Sequence, residues 1–529
     1  MTRQKSDDRV VPDGGRKVSG SGGARAPRGG KAVAVNKQDG QLQLPFATAD
    51  LPSASAAGAV VGAAGNRFPP SPHAGPKAKD DEREARPATM EMVVEGLEAA
   101  FEKVASNKGA PGPDRQTIGY VRKHLPAVLS SVRASLLDGS YRPGDIRRVW
   151  IPKSGGGERG LGIPNVVDRM VQEAFRAVLE PLWEPTFHSS SHGFRAGRSC
   201  HTAIAEAKAY VEEGYEYVVD IDLEKFFDRV HHQRLLARVA TRVSDRRLLA
   251  LLGQMLKAAV VMPEGVRVSN EEGVPQGGPL SPLLSNIVLD ELDSELAQRG
   301  HRFVRYADDC NIYVRSERAG HRVMASVTEF IAKRLRLKVN ASKSAVAKPE
   351  ERHFLGFRLR VDPLTEVVEV MMSKRSRERV NAAIRERTPR VWGSTLETCI
   401  SGVNAFLHGW FNFFSVCTGE ERTMQTLDAH IRRRLRAIQL RHWKNGPTIV
   451  RNLIAGGARQ KTAWATVYDG RRNTWHIAHR AAVDRALNKR FFESKNLVSL
   501  AKLWTALYRP PPIVALLGQL PLFGGQWRS

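Results

Sequence analysis

Along this 529-residue chain the alternation of apolar and polar positions changes character three times. Residues 1–88 are rich in Gly, Ala, Ser, Pro and Lys, with little periodicity and one short apolar break, LQLPF. A segment of that kind buries too little apolar surface to offset its ordering entropy, so a disordered leader is expected. From Glu91 the pattern turns helical: Met92, Val93, Leu97, Ala100, Phe101 and Val104 recur at three- and four-residue spacing. The Gly/Pro stretch NKGAPGPD (107–114) reads as a loop. Strand-like RRVWIP (147–152) leads into KSGGGERGLGIP, a Gly-rich hairpin, and a helix is expected over 168–183. The strand YEYVVDID (215–222) precedes EKFFDRVHHQRLL and a helical stretch to about 258. A turn, GVPQGGPLSP (273–282), opens the helix LLSNIVLDELDSELAQRG. FVRYADDCNIYV (303–314) has two strand-length arms around a turn and predicts a hairpin. A helix over 319–338, the segment VNASKS (339–344), HFLGFRLRV (353–361) and a mostly helical tail from 373 complete the pattern. The order of strands and helices is α+β rather than a regular βαβ alternation, and no internal repeat is visible.

Charge sharpens this division. The formal net charge is +26, and residues 371–529 hold 27 Lys and Arg against 9 Asp and Glu, whereas 91–370 are nearly balanced at 40 against 37. A basic excess gathered in the last third is the footprint of a segment that tracks a polyanion. Cys200, Cys310, Cys399 and Cys417 lie far apart with no CxxC pair, which argues for a reducing compartment and against a zinc module or disulfide framework. No apolar run is long enough to span a bilayer, and SASAAGAVVGAAG is too short and too rich in Ala and Gly. A cytoplasmic protein without a membrane partner is expected.

The candidate chemistry centres on the hairpin. Asp and Asn are ordinary turn residues, but Asp308 and Asp309 set two carboxylates side by side, and like charges repel unless a cation sits between them. YVVDIDLEKFF supplies a further carboxylate, Asp222, at the end of an apolar strand. Such carboxylates can converge on two Mg²⁺ ions, which sit roughly 3.5–4 Å apart and clamp the attacking and leaving oxygens of an in-line phosphoryl displacement. Mg²⁺ also favours a few carboxylates plus substrate phosphates over a full protein cage. Asp220 shares the strand face of Asp222 by two-residue alternation and competes with it as a ligand.

These segments, in order, are NKGAPGPD, IPKSGGGERGLGIPNVVDR, SSHGFRAGRSCHTA, DIDLEKFFD, VPQGGPLSPLLSN, YADD, LRLKVNASKS and FLGF. Together they resemble the motif series of group II intron reverse transcriptases, most closely the compact class found with group IIC introns, over about residues 92–505. The resemblance implies a right-hand polymerase with fingers, a palm of antiparallel sheet with helices, and a helical thumb. Its implied division is a leader (1–88), fingers and palm (89–365), a thumb or maturase domain (366–460) and a basic DNA-binding region (461–529). It implies Asp222 and Asp308 as main metal ligands, with Asp309 weaker or outer. Phe227 would stack under the sugar and reject a 2′-OH. Lys153 and Arg159 would contact the triphosphate, the Lys as a point charge and the Arg bidentately. Gln276 would contact template and nucleotide, and Lys343 would be a general acid near the leaving pyrophosphate. Arg195 and Arg198 would bind template or hold the fingers. GPDR around Asp114 departs from the family's usual Gly-hydrophobic-Asp-Gly, which leaves RNA contacts by that loop open.

The tail carries two apolar stripes. Ile400, Val403, Phe406, Leu407, Trp410 and Phe414 form one; Leu427, Ile431, Leu435 and Ile438 form another, with Arg432, Arg433 and Arg436 expected outward. The resemblance makes that arginine face a grip on duplex and intron RNA. His476 and His479 lack nearby cysteines, so neither a metal site nor a Cys/His nuclease domain is expected. The implied activity is RNA-directed DNA polymerisation from dNTPs with two Mg²⁺. The implied partners are intron RNA, an RNA template with a DNA primer, and target DNA, in a nucleoid-associated setting. A domesticated reverse transcriptase in DNA repair or phage defence, or a non-catalytic RNA-binding maturase, are the alternatives.

Overall fold

The computed structural model describes residues 88–152, 157–389, 391–468 and 473–509. The expected leader up to residue 87, Lys153 and the chain beyond 509 lie outside the described residues.

Three sheets form in chain order. β1 (Ile146–Pro152) and β2 (Glu158–Ile163) make the Gly-rich hairpin, which two short strands, β4 (Val260–Val261) and β5 (Arg267–Val268), extend in the order β2-β1-β4-β5. β3 (Tyr217–Asp222), β6 (Arg302–Tyr306), β7 (Asp309–Val314) and β8 (Ala345–Ala347) form the central antiparallel sheet, ordered β6-β7-β3-β8. β9 (Phe357–Val361) and β10 (Val368–Met372) pair by themselves.

The apolar alternation fixes how the central sheet is buried. Val219 and Ile221 of β3, and Cys310, Ile312 and Val314 of β7, face a core built with helices Leu97–Ser106, Val166–Trp183 and Ser281–Gln298. Val218, Val304 and Tyr313 face the opposite way, into a second core shared with helices Cys200–Glu212, Leu396–Phe414 and Glu421–His442. Because successive strand residues point to opposite faces, one sheet serves both cores.

Most expected elements form. The first helical stretch divides at Gly96 into Met90–Glu95 and Leu97–Ser106. The helix expected over 319–338 stops at Phe330 and ends in a wider turn, Ile331–Leu335, closed by Arg336 at φ +57°. Of the predicted stripe on Leu396–Phe414, Ile400, Val403, Leu407 and Phe414 are buried and Phe406 and Trp410 half-buried.

The outward arginine face is a correction. Leu427, Ile431, Leu435 and Ile438 are buried as expected, but Arg436 is buried too. Its Nε donates to the Leu487 carbonyl at 2.8 Å, and its guanidinium pairs with Asp484 at 2.5 Å. Arg433 lies 3.9 Å over the Trp475 ring, and Arg432 is half-buried beside Glu493. Helices Thr474–Ile477 and Leu500–Tyr508 pack on this helix, so a surface that one helix in isolation leaves to solvent is covered by later ones. No helix among the described residues is long and apolar enough to cross a membrane.

Candidate active site

Hairpin geometry brings the carboxylates together. In the β6–β7 ladder Tyr306 pairs with Asp309, leaving Ala307 and Asp308 as a two-residue turn. β7 runs antiparallel to β3 with Asp222 opposite Asp309 and Asp220 opposite Asn311. Directly opposed residues in an antiparallel pair stand about 4.5–5.5 Å apart. The turn thus carries Asp308 to the end of β3 where Asp222 stands.

The electrostatics record the crowding. The protein around Asp308 desolvates its carboxyl, and the Asp222 charge adds to that; both hold its pKa above the usual carboxylate range, against Arg159 and Lys343. Asp309 is raised for the same reasons, first desolvation and then the charges of Asp308, Asp220 and Asp222. A cluster that raises its own pKa values has negative charge to share with a cation. Among the described residues no group of three or more His, Cys, Asp and Glu side chains is placed to hold a metal ion. Mg²⁺ is commonly bound through one or two carboxylates and completed by substrate phosphate oxygens.

Asp220 and Asp222 part company here. Arg352 donates through Nε and Nη2 to Asp220 Oδ2 at 2.9 and 2.6 Å, and through Nη2 to the Lys343 carbonyl at 2.5 Å. Asp222 instead meets the Lys343 ammonium at 3.2 Å, an ion pair whose lysine side chain is 66% exposed. The backbone of 340–344 is strapped to Asp222: Asn340 donates its N–H to the Asp222 carbonyl at 2.8 Å, and the Asp222 N–H donates to Ser344 Oγ at 3.0 Å. That strap brings Lys343 to the carboxylate.

Around this centre, Phe226 is core and Phe227 is half-buried, its ring edge-on to Phe226 at 5.1 Å. Lys225, at φ +51°, makes the turn that separates the two rings from β3. The Phe227 carbonyl accepts from Val274 N–H at 2.6 Å, which ties it to the loop bearing Gln276. That loop meets the Gly-rich hairpin backbone to backbone, Gly162 N–H donating to the Gln276 carbonyl at 2.6 Å. Gly277 has φ +128°, and a Cβ there would lie 2.5 Å from the Gly162 carbonyl oxygen, so only glycine permits the approach. Gln276 itself is half-buried, and Arg159 on β2 is close enough for its charge to act on Asp308. Arg195 is wholly engaged by the protein: it holds Glu184 Oε1 at 2.9 Å and the His188 and Ser191 carbonyls at 2.7 and 2.8 Å. Arg198 donates to the Ser189 carbonyl at 2.5 Å.

Two residues of this neighbourhood escape a reading of motifs alone, Arg352 and Arg305. Arg305 interrupts the apolar arm FVRY at an inward position, and that misplaced charge is the available signal. Arg352 gives no local signal, since its partner is 132 residues away.

Residues 151–359 match the family model described as reverse transcriptase (RNA-dependent DNA polymerase), and residues 377–454 match the group II intron maturase-specific domain. Protein YkfC of Escherichia coli (strain K12) is 43% identical over 211 residues, covering 39% of this chain and 55% of that protein. The group II intron-encoded protein LtrA of Lactococcus lactis subsp. cremoris is 36% identical over 210 residues, covering 39% of this chain and 34% of LtrA. The chain thus spans about half the length of the first of these curated relatives and a third of the second. A solved chain from a partial Cas6-RT-Cas1–Cas2 complex aligns over 46% of this chain and 42% of its own length, a distant likeness at 24% identity and a TM-score of 0.30. The chain thus joins a segment that matches reverse transcriptases to one that matches the group II intron maturase-specific domain, in the order expected of a group II intron reverse transcriptase/maturase.

Proposed function

We propose that this protein is an RNA-directed DNA polymerase that extends a DNA primer on an RNA template and assists the splicing and mobility of a group II intron of the IIC class. The observation that carries the reading is the strand register that sets Asp222 opposite Asp309 with Asp308 at the adjoining turn. In the reaction a primer 3′-oxygen forms a bond to the α-phosphorus of a dNTP as the bond to pyrophosphate breaks. Asp222 and Asp308, with Asp309 at the margin, would hold two Mg²⁺ ions, which when bound supply charge neutralisation at the entering and leaving oxygens. Arg159, beside Asp308, and Lys153 neutralise the triphosphate. Phe227 supports the sugar and excludes a 2′-OH, and Gln276 lines the template and nucleotide side. Lys343 pairs with Asp222 at 3.2 Å and delivers a proton to the departing pyrophosphate.

Fingers and palm occupy 89–365, the thumb or maturase domain 366–460 and a DNA-binding region 461–529. The partners are intron RNA, template–primer and target DNA, in the cytoplasm at the nucleoid. On helix Lys374–Arg387 the exposed Lys374, Arg375, Arg379 and Arg385 fall within one arc, opposite buried Val380 and Ile384. Burial first, and then the charges of Arg352, Arg375 and Arg379, hold His353 below its ordinary pKa against the opposing charge of Asp220. This ridge is the surface we assign to duplex phosphates.

Asp308→Asn is expected to abolish primer extension with Mg²⁺ while RNA affinity by filter binding stays within about twofold, because the substitution removes metal chemistry and not the basic grip. Polymerisation retained by the variant overturns the site.

A further inference from the structure

Behind the carboxylates, on the opposite face of the central sheet, the Arg305 guanidinium is completely buried. It has five N–H donors, and each meets an acceptor. Nε and Nη2 hold the two oxygens of Asp293 at 2.7 and 2.5 Å, and Nη2 also reaches Ser191 Oγ at 2.6 Å. Nη1 holds Asn286 Oδ1 at 3.1 Å and the carbonyl of Ala307 at 2.9 Å. Asn286 and Asp293 lie two turns apart on helix Ser281–Gln298. The Asn286 amide in turn donates to the Gly193 carbonyl at 2.8 Å.

The bond to Ala307 matters because of that residue's backbone. Ala307 has φ +56° at the first position of the two-residue turn, a conformation that Gly adopts freely and Ala does not. Strained residues of this kind persist only where their surroundings hold them. The segment before Gly193 is stitched to β6: His192 N–H donates to the Arg305 carbonyl at 2.8 Å, and Arg305 N–H to the Ser190 carbonyl at 2.9 Å. Gly193 itself presses on the turn, for a Cβ there would stand 2.3 Å from the Ala307 nitrogen.

We infer that Arg305, braced by Asp293 and Asn286, is a positioning residue for the metal-binding turn. It pins the Ala307 carbonyl from behind and so fixes the height and direction of the Asp308 carboxylate. This rests on the reading of Asp308 as a metal ligand. Truncating one member of a buried ion pair strands the other charge, whereas replacing both by apolar residues of similar volume is often tolerated. The informative variant is therefore Arg305→Met with Asp293→Leu.

The double variant is expected to unfold cooperatively near the wild-type midpoint and to bind template–primer within about twofold of wild type. The Mg²⁺ concentration for half-maximal extension rises about tenfold, as when a residue that orients a metal ligand is removed, and kcat falls about 100-fold. Adding Ala307→Gly recovers part of both effects, because glycine holds the turn without the clamp. Arg305→Lys, which keeps the charge but cannot span Asp293 and the Ala307 carbonyl together, raises the Mg²⁺ requirement in the same direction. That variant carries the test if the double variant fails to fold. A folded variant, double or Lys, with the wild-type Mg²⁺ requirement overturns the inference, as does a deficit that Ala307→Gly leaves unchanged. Asp308→Asn runs alongside: an active Asp308→Asn enzyme sinks the metal-site reading itself and so separates the two failures.

Discussion

Two crowds of like charge stand in this molecule, and they are treated in opposite ways. At the end of the central sheet Asp222, Asp308 and Asp309 crowd together, and the cation that pairs with Asp222, Lys343, is mostly exposed. On helix Glu421–His442 four arginines crowd within five residues, yet Arg433 lies on Trp475, Arg434 donates to Thr388 Oγ1 at 2.5 Å, and Arg436 is closed between Leu487 and Asp484. Where the protein compensates a charge from within, that charge serves the fold. Where it leaves the charges against one another, the function proposed above assigns them a cation from outside. Density of charge along the sequence does not separate these cases; the residues that cover it do.

The sharpest way to break this contrast lies within β3. Asp222→Asn is expected to lower the extension rate by about a thousandfold or more, several kcal/mol of transition-state stabilisation. Asp220→Asn, next on the same strand face, already has Arg352 as its partner and should cost far less in rate. Equal reductions in steady-state extension assays remove the distinction between the two aspartates.

A smaller effect is expected at the satisfied arginines. Arg436→Ala leaves the Leu487 carbonyl and Asp484 unpaired and should cost about 1–3 kcal/mol, read from the urea midpoint. The Asp484 side chain is 63% exposed, so the hydrogen bond and packing dominate that figure rather than the ion pair. The salt slope of RNA binding should not move. A flattened slope at unchanged stability would return this helix to the RNA-facing surface that its sequence pattern predicts.

The smallest effect belongs to the exposed ridge of helix Lys374–Arg387. Lys374→Ala with Arg385→Ala should leave the unfolding midpoint unchanged and reduce the log–log salt slope of duplex binding by about 0.7–0.9 for each phosphate no longer neutralised. An unaltered slope assigns the phosphate grip to other basic side chains.

Sequence makes the hairpin and the strand that carry the site legible because each is local. DD between two apolar arms marks the hairpin, although its two-residue turn is Ala307 and Asp308 and Asp309 already pairs within β7, and YVVDID marks a strand that ends in Asp222. Helix Val166–Trp183 is equally plain, from 168 to 183, because its apolar positions Met170, Val171, Ala174, Phe175, Val178 and Leu179 recur at helical spacing, even though every residue from Asp168 to Phe175 is buried. What stays hidden depends on residues far apart. The choice between Asp220 and Asp222 turns on Arg352, the orientation of Arg436 on Asp484 and Leu487, and the support of Ala307 on Asn286 and Asp293. Periodicity tells which face of an element is apolar. It does not tell how many neighbours arrive to cover the other face, which is why a single helix suggests outward arginines and the folded chain covers them.

The two-sided burial of the central sheet makes it a party wall. Val219, Ile221 and Ile312 hold up one core, while their immediate neighbours Val218 and Tyr313 hold up the other, on the same side as Asp222 and Asp309. Tyr313 is four residues along β7 from Asp309, about 13 Å at strand rise. The helical half cannot be taken away as a detachable accessory, because that would lay bare the apolar side of the wall on which the carboxylates stand. The two cores are rooms built against one partition, and any change in how the helices lean on Val218, Val304 and Tyr313 is delivered to the carboxylate end through three or four residues of a single strand.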